Sequence, residues 1–183
     1  SQPVVPAREL PADGNWVLSR KTGTKTSFDL TPTGTGTPVT IEEPGLENLG
    51  GAVFFPDGKR LLLQAAEPGQ TRHLFVQDLP HGKPVPVSKA NYGLGVRPIS
   101  PDGQWIAAYG EWSEDVFLLP VDGGEPRTIP HSKDLDLLQW TPDGKFLYAA
   151  IGGSIPARLV RVEVATGRRE PWKDIAPPDL SGL

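Results

Sequence analysis

At 183 residues the chain can bury the core of one ordinary domain, and its net charge of −4, with no basic run longer than two residues (Arg20-Lys21, Lys59-Arg60, Arg168-Arg169), excludes the cationic stripe that a nucleic acid demands. No apolar run reaches the roughly 18 residues of a membrane helix and no charged start leads into an apolar stretch, so neither membrane insertion by this segment nor a signal peptide is expected. The absence of cysteine rules out disulfides and thiolate metal sites without fixing the compartment, and a Ser1-Gln2-Pro3 start in a chain with no Met suggests a processed piece of a longer protein.

Twenty-one glycines and 21 prolines beside 37% hydrophobic residues point to a folded chain of short strands and many turns. One stretch organises them. Pro-Asp-Gly followed by an apolar run stands at Pro56-Asp57-Gly58, Pro101-Asp102-Gly103 and Pro142-Asp143-Gly144, with an eroded copy at Pro11-Ala12-Asp13-Gly14, and its Asp residues lie 44, 45 and 41 positions apart. That period suits one four-stranded propeller blade per repeat. Pro presets φ for the second position of a type I turn, Asp suits the third, and Gly takes the left-handed conformation that other residues resist. Each copy therefore reads as the turn between strands A and B of a blade.

In chain order, the first repeat predicts strands over 4–10, 15–20, 27–31 and 38–41, and the second over 51–55, 60–65, 73–79 and 84–87. The third predicts 96–100, 105–110, 116–121 and 127–129, and the fourth 137–141, 146–151, 158–164 and 169–172. Strand B is apolar at successive positions (Leu61-Leu62-Leu63; Trp105-Ile106-Ala107-Ala108), as suits a strand buried on both faces. Strand D carries a proline in every repeat (Pro38, Pro84, Pro86, Pro126, Pro171), which places it at a sheet edge, where a missing N–H is tolerated and blocks edge-to-edge pairing. Almost no helix is expected, because Gly or Pro interrupts every helical spacing. The fold class is all-β: a β-propeller of four-stranded antiparallel blades with four repeats, either a closed four-blade ring or part of a larger, six-bladed one. The expected division is a single propeller domain or segment with blades at 1–43, 44–89, 90–131 and 132–175, and 176–183 beginning a further connection.

The runs WTPDGKFLYAA (140–150) and ARLVRVEVATGRREPW (157–172), with ISPDGQWIAAYG (99–110) and DVFLLPVDGGEPRTI (115–129), resemble the TolB-type, WD-like β-propeller repeat. FFPDGKRLLLQA (54–65), LPVDGGEPR (119–127), VATGRREPW (164–172) and APPDLSGL (176–183) are most similar to the C-terminal propeller of bacterial serine/threonine protein kinases. The resemblance covers nearly the whole chain. It implies a propeller that normally closes with more blades, and a catalytic domain, where there is one, outside this sequence. Such repeats serve proteins of very different function, so the resemblance speaks to fold more than to activity.

If the strands alternate as read, the B–C and D–A loops share one face: 20–25, 42–49, 65–72, 88–95, 110–115, 131–136 and 152–157. They hold nine acidic and six basic residues, a mildly acidic rim. The candidate partner-binding residues are Tyr92, Glu111, Trp112, Glu114, Asp134 and Asp136, because an exposed aromatic buries large area at little entropic cost and flanking carboxylates add charge selectivity. The competing expectations are a merely solvated rim and aromatics folded back over their own blades. His73, His81 and His131 fall at different levels and do not suit a metal site, and the turn aspartates are dispersed one per blade. No Gly-x-Ser-x-Gly elbow, phosphate-binding Gly-rich loop or kinase signature occurs, so neither a catalytic residue nor a cofactor is expected.

The leading expectation is a non-catalytic propeller that binds a protein or peptide as a sensor or scaffold of a larger bacterial protein, extracytoplasmic or periplasmic. Unfilled blade faces would be met by self-association or by blades from another chain segment. The alternative is the substrate-gating propeller of a prolyl-oligopeptidase-like serine peptidase, whose propeller these repeats also resemble. A propeller that is itself a hydrolase or lyase ranks last, since its inner strands offer only Asp136, Arg97 and Gln139.

Overall fold

The computed structural model of the chain describes residues 14–21, 27–41, 45–47 and 49–176. These residues form strands without a helix. The first sheet has the order β1 (Trp16–Lys21), β2 (Ser27–Pro32), β3 (Val39–Ile41), and the second β4 (Ala52–Phe54), β5 (Arg60–Ala65), β6 (His73–Asp78), β7 (Val85–Pro86). The third runs β8 (Tyr92–Ile99), β9 (Trp105–Gly110), β10 (Val116–Pro120), β11 (Arg127–Thr128), and the fourth β12 (Leu135–Trp140), β13 (Phe146–Ile151), β14 (Ala157–Glu163), β15 (Arg169–Ile175). The registered neighbours are antiparallel. Each sheet is thus an all-β meander in sequence order, with strand D at one edge; Pro86 and Pro171 lie within β7 and β15, and Pro38 and Pro126 just before β3 and β11. The strand A expected over 4–10 lies outside the described residues.

The hairpins follow from the Pro-Asp-Gly chemistry. Gly58, Gly103 and Gly144 sit at φ of 67°, 68° and 68°, and each donates its N–H to the residue three before it: Phe55, Ser100 and Thr141, all at 2.9 Å. The turn carboxylates accept the next free backbone N–H, from Lys59 (2.9 Å), Gln104 (3.0 Å) and Lys145 (3.1 Å). Ser100 and Thr141 add a hydroxyl that donates to the turn Asp at 2.5 Å and accepts from Trp105 N (2.9 Å) and Phe146 N (3.1 Å). Those hydroxyls are the leading reason that Asp102 and Asp143 are held below the usual carboxylate range. In the second sheet buried Phe55 replaces the hydroxyl residue. There Arg60 takes over, bonding Asp57 through Nε at 3.0 Å and lying 4.1 Å over the Phe55 ring.

Burial follows the expected pattern in the central strands. Leu61, Leu62 and Leu63 of β5 and Ile106, Ala107 and Ala108 of β9 are wholly buried, while β13 alternates between buried Leu147 and Ala149 and half-buried Tyr148 and Ala150. Each fully buried leucine contributes roughly 1.5–3 kcal/mol of transfer free energy. The sheets group into two compact units, the first two sheets in one and the last two in the other. Leu18, Phe28, Leu30, Phe54, Leu61 and Phe75 are central to one core, and Ala107, Leu118, Leu137, Trp140, Leu147 and Val160 to the other. A buried serine after strand D recurs in both: Ser88 accepts the N–H of Leu74, and Ser132 that of Val116, each at 2.8 Å. These hydroxyls pair backbone donors at the start of strand C, which would otherwise be buried without a partner.

One strand departs from the sequence reading. Strand A of the third sheet begins at Tyr92 rather than at 96, so Tyr92 opens β8 and is not a loop residue. Gly93 and Gly95 read as loop punctuation, yet a Cβ at Gly95 would lie 2.9 Å from Leu137 Cβ and 3.0 Å from its carbonyl oxygen. Glycine here permits close strand packing rather than a turn. Likewise Asp136 is the second residue of β12, and β15 runs on to Ile175.

Two outcomes test the turns. Gly103→Ala forces a Cβ into the left-handed region and should lower the unfolding free energy by about 1–2 kcal/mol in urea titration, where Gln104→Ala beside it should change it little. Because the native pKa values of Asp102 and Asp143 are depressed, the stability they confer is complete above the unfolded carboxylate value of about 3.9 and is lost as pH falls through the lower native values. The double variant Ser100→Ala, Thr141→Val should therefore lose less stability than the parent between about pH 5 and pH 3.

Candidate functional site

In each complete sheet the B–C loop lies at the end opposite the tight A–B turn, and among the described residues the exposed large apolar side chains on loops, Trp112 and Ile155, lie there. The loop after β9 is closed on itself: Gly110 N–H donates to Asp115 O at 3.3 Å and Ser113 N–H to Gly110 O at 3.4 Å. The Ser113 hydroxyl donates to the Asp115 carboxylate at 2.7 Å and accepts from Asp115 N at 3.1 Å. This local ring of bonds leaves Trp112 at the tip, 93% exposed. It does not fold back over its blade. Glu111 and Glu114 flank it and are exposed.

The loop after β13 has the same plan. Ser154 donates its hydroxyl to Ile151 O at 2.8 Å and accepts from Arg158 N at 3.0 Å, and the neighbouring Ile155 is 69% exposed. Ile155 was not singled out from the sequence, although Gly152-Gly153-Ser154 before it signals a turn at whose tip an apolar side chain is hard to bury.

The other candidates are placed differently. Tyr92 is half-buried at the start of β8, and its carbonyl accepts from Gln64 Nε2 at 2.9 Å. Asp134, at φ 63°, is clamped by Arg169 of β15, which reaches its carboxylate at 2.7 and 3.2 Å and the carbonyl of Lys133 at 2.9 Å. The Arg169 guanidinium is the main reason that the Asp134 carboxyl sits below its usual range. Asp134 therefore closes the link before β12. Asp136 is exposed on β12, its carboxylate 3.6 Å from where a Cβ at Gly152 would lie. The structure brings Glu111, Trp112 and Glu114 together on one loop and assigns Asp134 a structural bond.

Among the described residues no group of three His, Asp or Glu side chains could hold a metal ion, and no helix is long and apolar enough to cross a membrane. His73 is buried with its ring 4.4 Å from that of Phe75, its Nδ1 3.2 Å from Thr71 O.

No protein-family model matches the chain, and no curated protein matches its sequence. Solved structures do. TolB from Agrobacterium tumefaciens is similar over 94% of this chain and 63% of its own, at 17% identity and a TM-score of 0.72. TolB from Acinetobacter baumannii is similar over 94% of this chain and 44% of its own, at 17% identity and a TM-score of 0.68. A chain from a structural and mechanistic study of two prolyl endopeptidases matches over 93% of this chain and 26% of its own, at 15% identity and a TM-score of 0.59. The chain spans less than two thirds of the length of either TolB chain. The fold is a TolB-type β-propeller fold, and each four-stranded sheet is a blade.

Replacing Arg169 by Met should free the link at 131–134 and cost about 1 kcal/mol of stability, with faster amide exchange at Gly152, whose N–H donates to Asp134 O at 2.8 Å. Arg169→Lys should recover little of this, because one ammonium cannot span the carboxylate and the carbonyls together.

Proposed function

We propose that the chain is a non-catalytic propeller module that binds a protein or peptide through its B–C loops. The observation that carries this is Trp112, 93% exposed at the tip of a loop held by its own hydrogen bonds. Leaving a tryptophan in water forgoes a large burial gain, and a pre-ordered aromatic tip loses little entropy when a partner covers it. Glu111, Glu114 and Asp136 belong to the same surface in this reading, Tyr92 and Asp134 to its scaffold.

The larger protein is proposed to be bacterial, with this propeller as a sensor or scaffold part on the extracytoplasmic or periplasmic side. The sequence resemblance to the C-terminal propellers of serine/threonine protein kinases supports that choice. The four sheets are then successive blades of one domain or segment, at 1–43, 44–89, 90–131 and 132–175, completed by further blades or by self-association. A solution mass that is a multiple of the chain's own supports the latter. A second reading, the gating propeller of a serine peptidase, is favoured by the likeness to the prolyl endopeptidase chain. An α/β-hydrolase segment in the same open reading frame would select it.

Trp112→Ala should leave the thermal unfolding midpoint within about 1 °C, since the side chain contributes little to the core, and should weaken retention of a captured partner at least tenfold. Retention unchanged by Trp112→Ala would remove this loop from the binding surface.

A further inference from the structure

Three aromatic side chains beside the A–B turns are each covered by an arginine. Arg60 lies 4.1 Å over Phe55, Arg127 4.4 Å over Trp105 and Arg161 4.4 Å over Phe146. In two of these the same guanidinium is also held by a carboxylate. Arg60 Nη2 is 2.9 Å from Asp57, and Arg161 reaches Glu170 through Nε at 3.1 Å and Nη2 at 2.5 Å. The recurrent unit is an aromatic face, an arginine over it and a carboxylate at its edge. Its attraction has two sources, the ring quadrupole and a charge-assisted hydrogen bond.

The loop at 110–115 displays two parts of this unit without the third. Trp112 is 93% exposed, so no guanidinium covers it, and it is the ring type that attracts cations best. The loop carries Glu111, Glu114 and Asp115 and no basic residue. Asp115 is engaged by Ser113, whereas Glu114 is exposed two positions from Trp112. A neutral or acidic partner would have to desolvate carboxylates without compensation; a cationic one is attracted to them. Arginine suits the site better than lysine, because its planar, weakly hydrated guanidinium stacks on indole while its edge donates to a carboxylate. Ile155 is likewise exposed, on the corresponding loop of the next blade.

We infer that the Trp112 loop is an arginine-receiving site: a partner peptide places a guanidinium on the Trp112 ring and pairs it with Glu114. This rests on the proposed binding function and names its partner chemistry.

The test begins with a random dodecapeptide library, selected on the parent chain and counter-selected on Trp112→Ala. The expected result is a set of peptides that discriminate the two chains, enriched in arginine over lysine. The tightest peptide is then remade with citrulline, an uncharged isostere, in place of its arginine. That change on the parent, and Glu114→Gln against the arginine peptide, should each weaken binding at least about threefold, and affinity should fall with added salt. Discriminating peptides without arginine enrichment, or a citrulline form that binds as well, would overturn the arginine assignment while leaving the loop as a binding surface. A selection that yields only peptides binding Trp112→Ala equally would overturn both the assignment and the choice of this loop.

Discussion

The left-handed glycine of the Pro-Asp-Gly turn is the constraint on which each complete blade depends. With φ fixed near 67–68° in all three complete copies, the chain reverses in one way and strand B starts at a set distance from the turn. Register beside the turn then follows, and in the fourth blade it shifts further along, between Leu137 and Gln139 of β12. In β13 a slip of one residue would exchange buried Leu147 and Ala149 for Tyr148 and Ala150, so an error at the turn would be carried into the core. The Asp carboxylate and, in two blades, a Ser or Thr hydroxyl pair the backbone donors that so tight a turn leaves over, which makes the turn rigid as well as unique.

The second blade shows how far this solution can vary. Phe55 stands where the next two blades have Ser100 and Thr141, which gains a fully buried ring and loses the hydroxyl that bonds the turn aspartate. Arg60 makes up the loss. It holds Asp57 and covers the face of the buried ring at once. The third and fourth blades reach a similar cover from elsewhere, with Arg127 and Arg161 supplied by strands D and C to Trp105 and Phe146. Aromatic rings near the turn are thus screened from water by guanidinium planes, and the long methylene stems add apolar cover.

Legibility in the sequence tracks how local the determining chemistry is. Strands β5, β9 and β13 start and stop where the sequence predicts, at 60–65, 105–110 and 146–151, because the turn glycine two residues before each fixes the start. The start of β8 was misread because glycine has two uses, and only the distance between Gly95 and Leu137 distinguishes them. Arg169 and Asp134 are 35 residues apart, and no local pattern announces their bond; Asp134 therefore read as a free loop carboxylate. Trp112 was recognised as a candidate, but whether an indole folds back depends on the bonds among Gly110, Ser113 and Asp115, which are set by loop conformation and not by composition.

These differences divide each blade into two ends with different tolerances. At the A–B end the backbone conformation itself is specified, and the turn Asp with Ser100, Thr141 or Arg60 is committed to the turn. At the B–C end of the third and fourth blades the loops are closed by short side-chain bonds from a single serine, Ser113 or Ser154. A residue beside such a serine is free to change without altering the sheet, and a large exposed apolar side chain stands there in both loops, Trp112 before Ser113 and Ile155 after Ser154. Stability alone gives no reason for a tryptophan there. The same physics that makes the blades monotonous at one end leaves recognition chemistry to be written at the other.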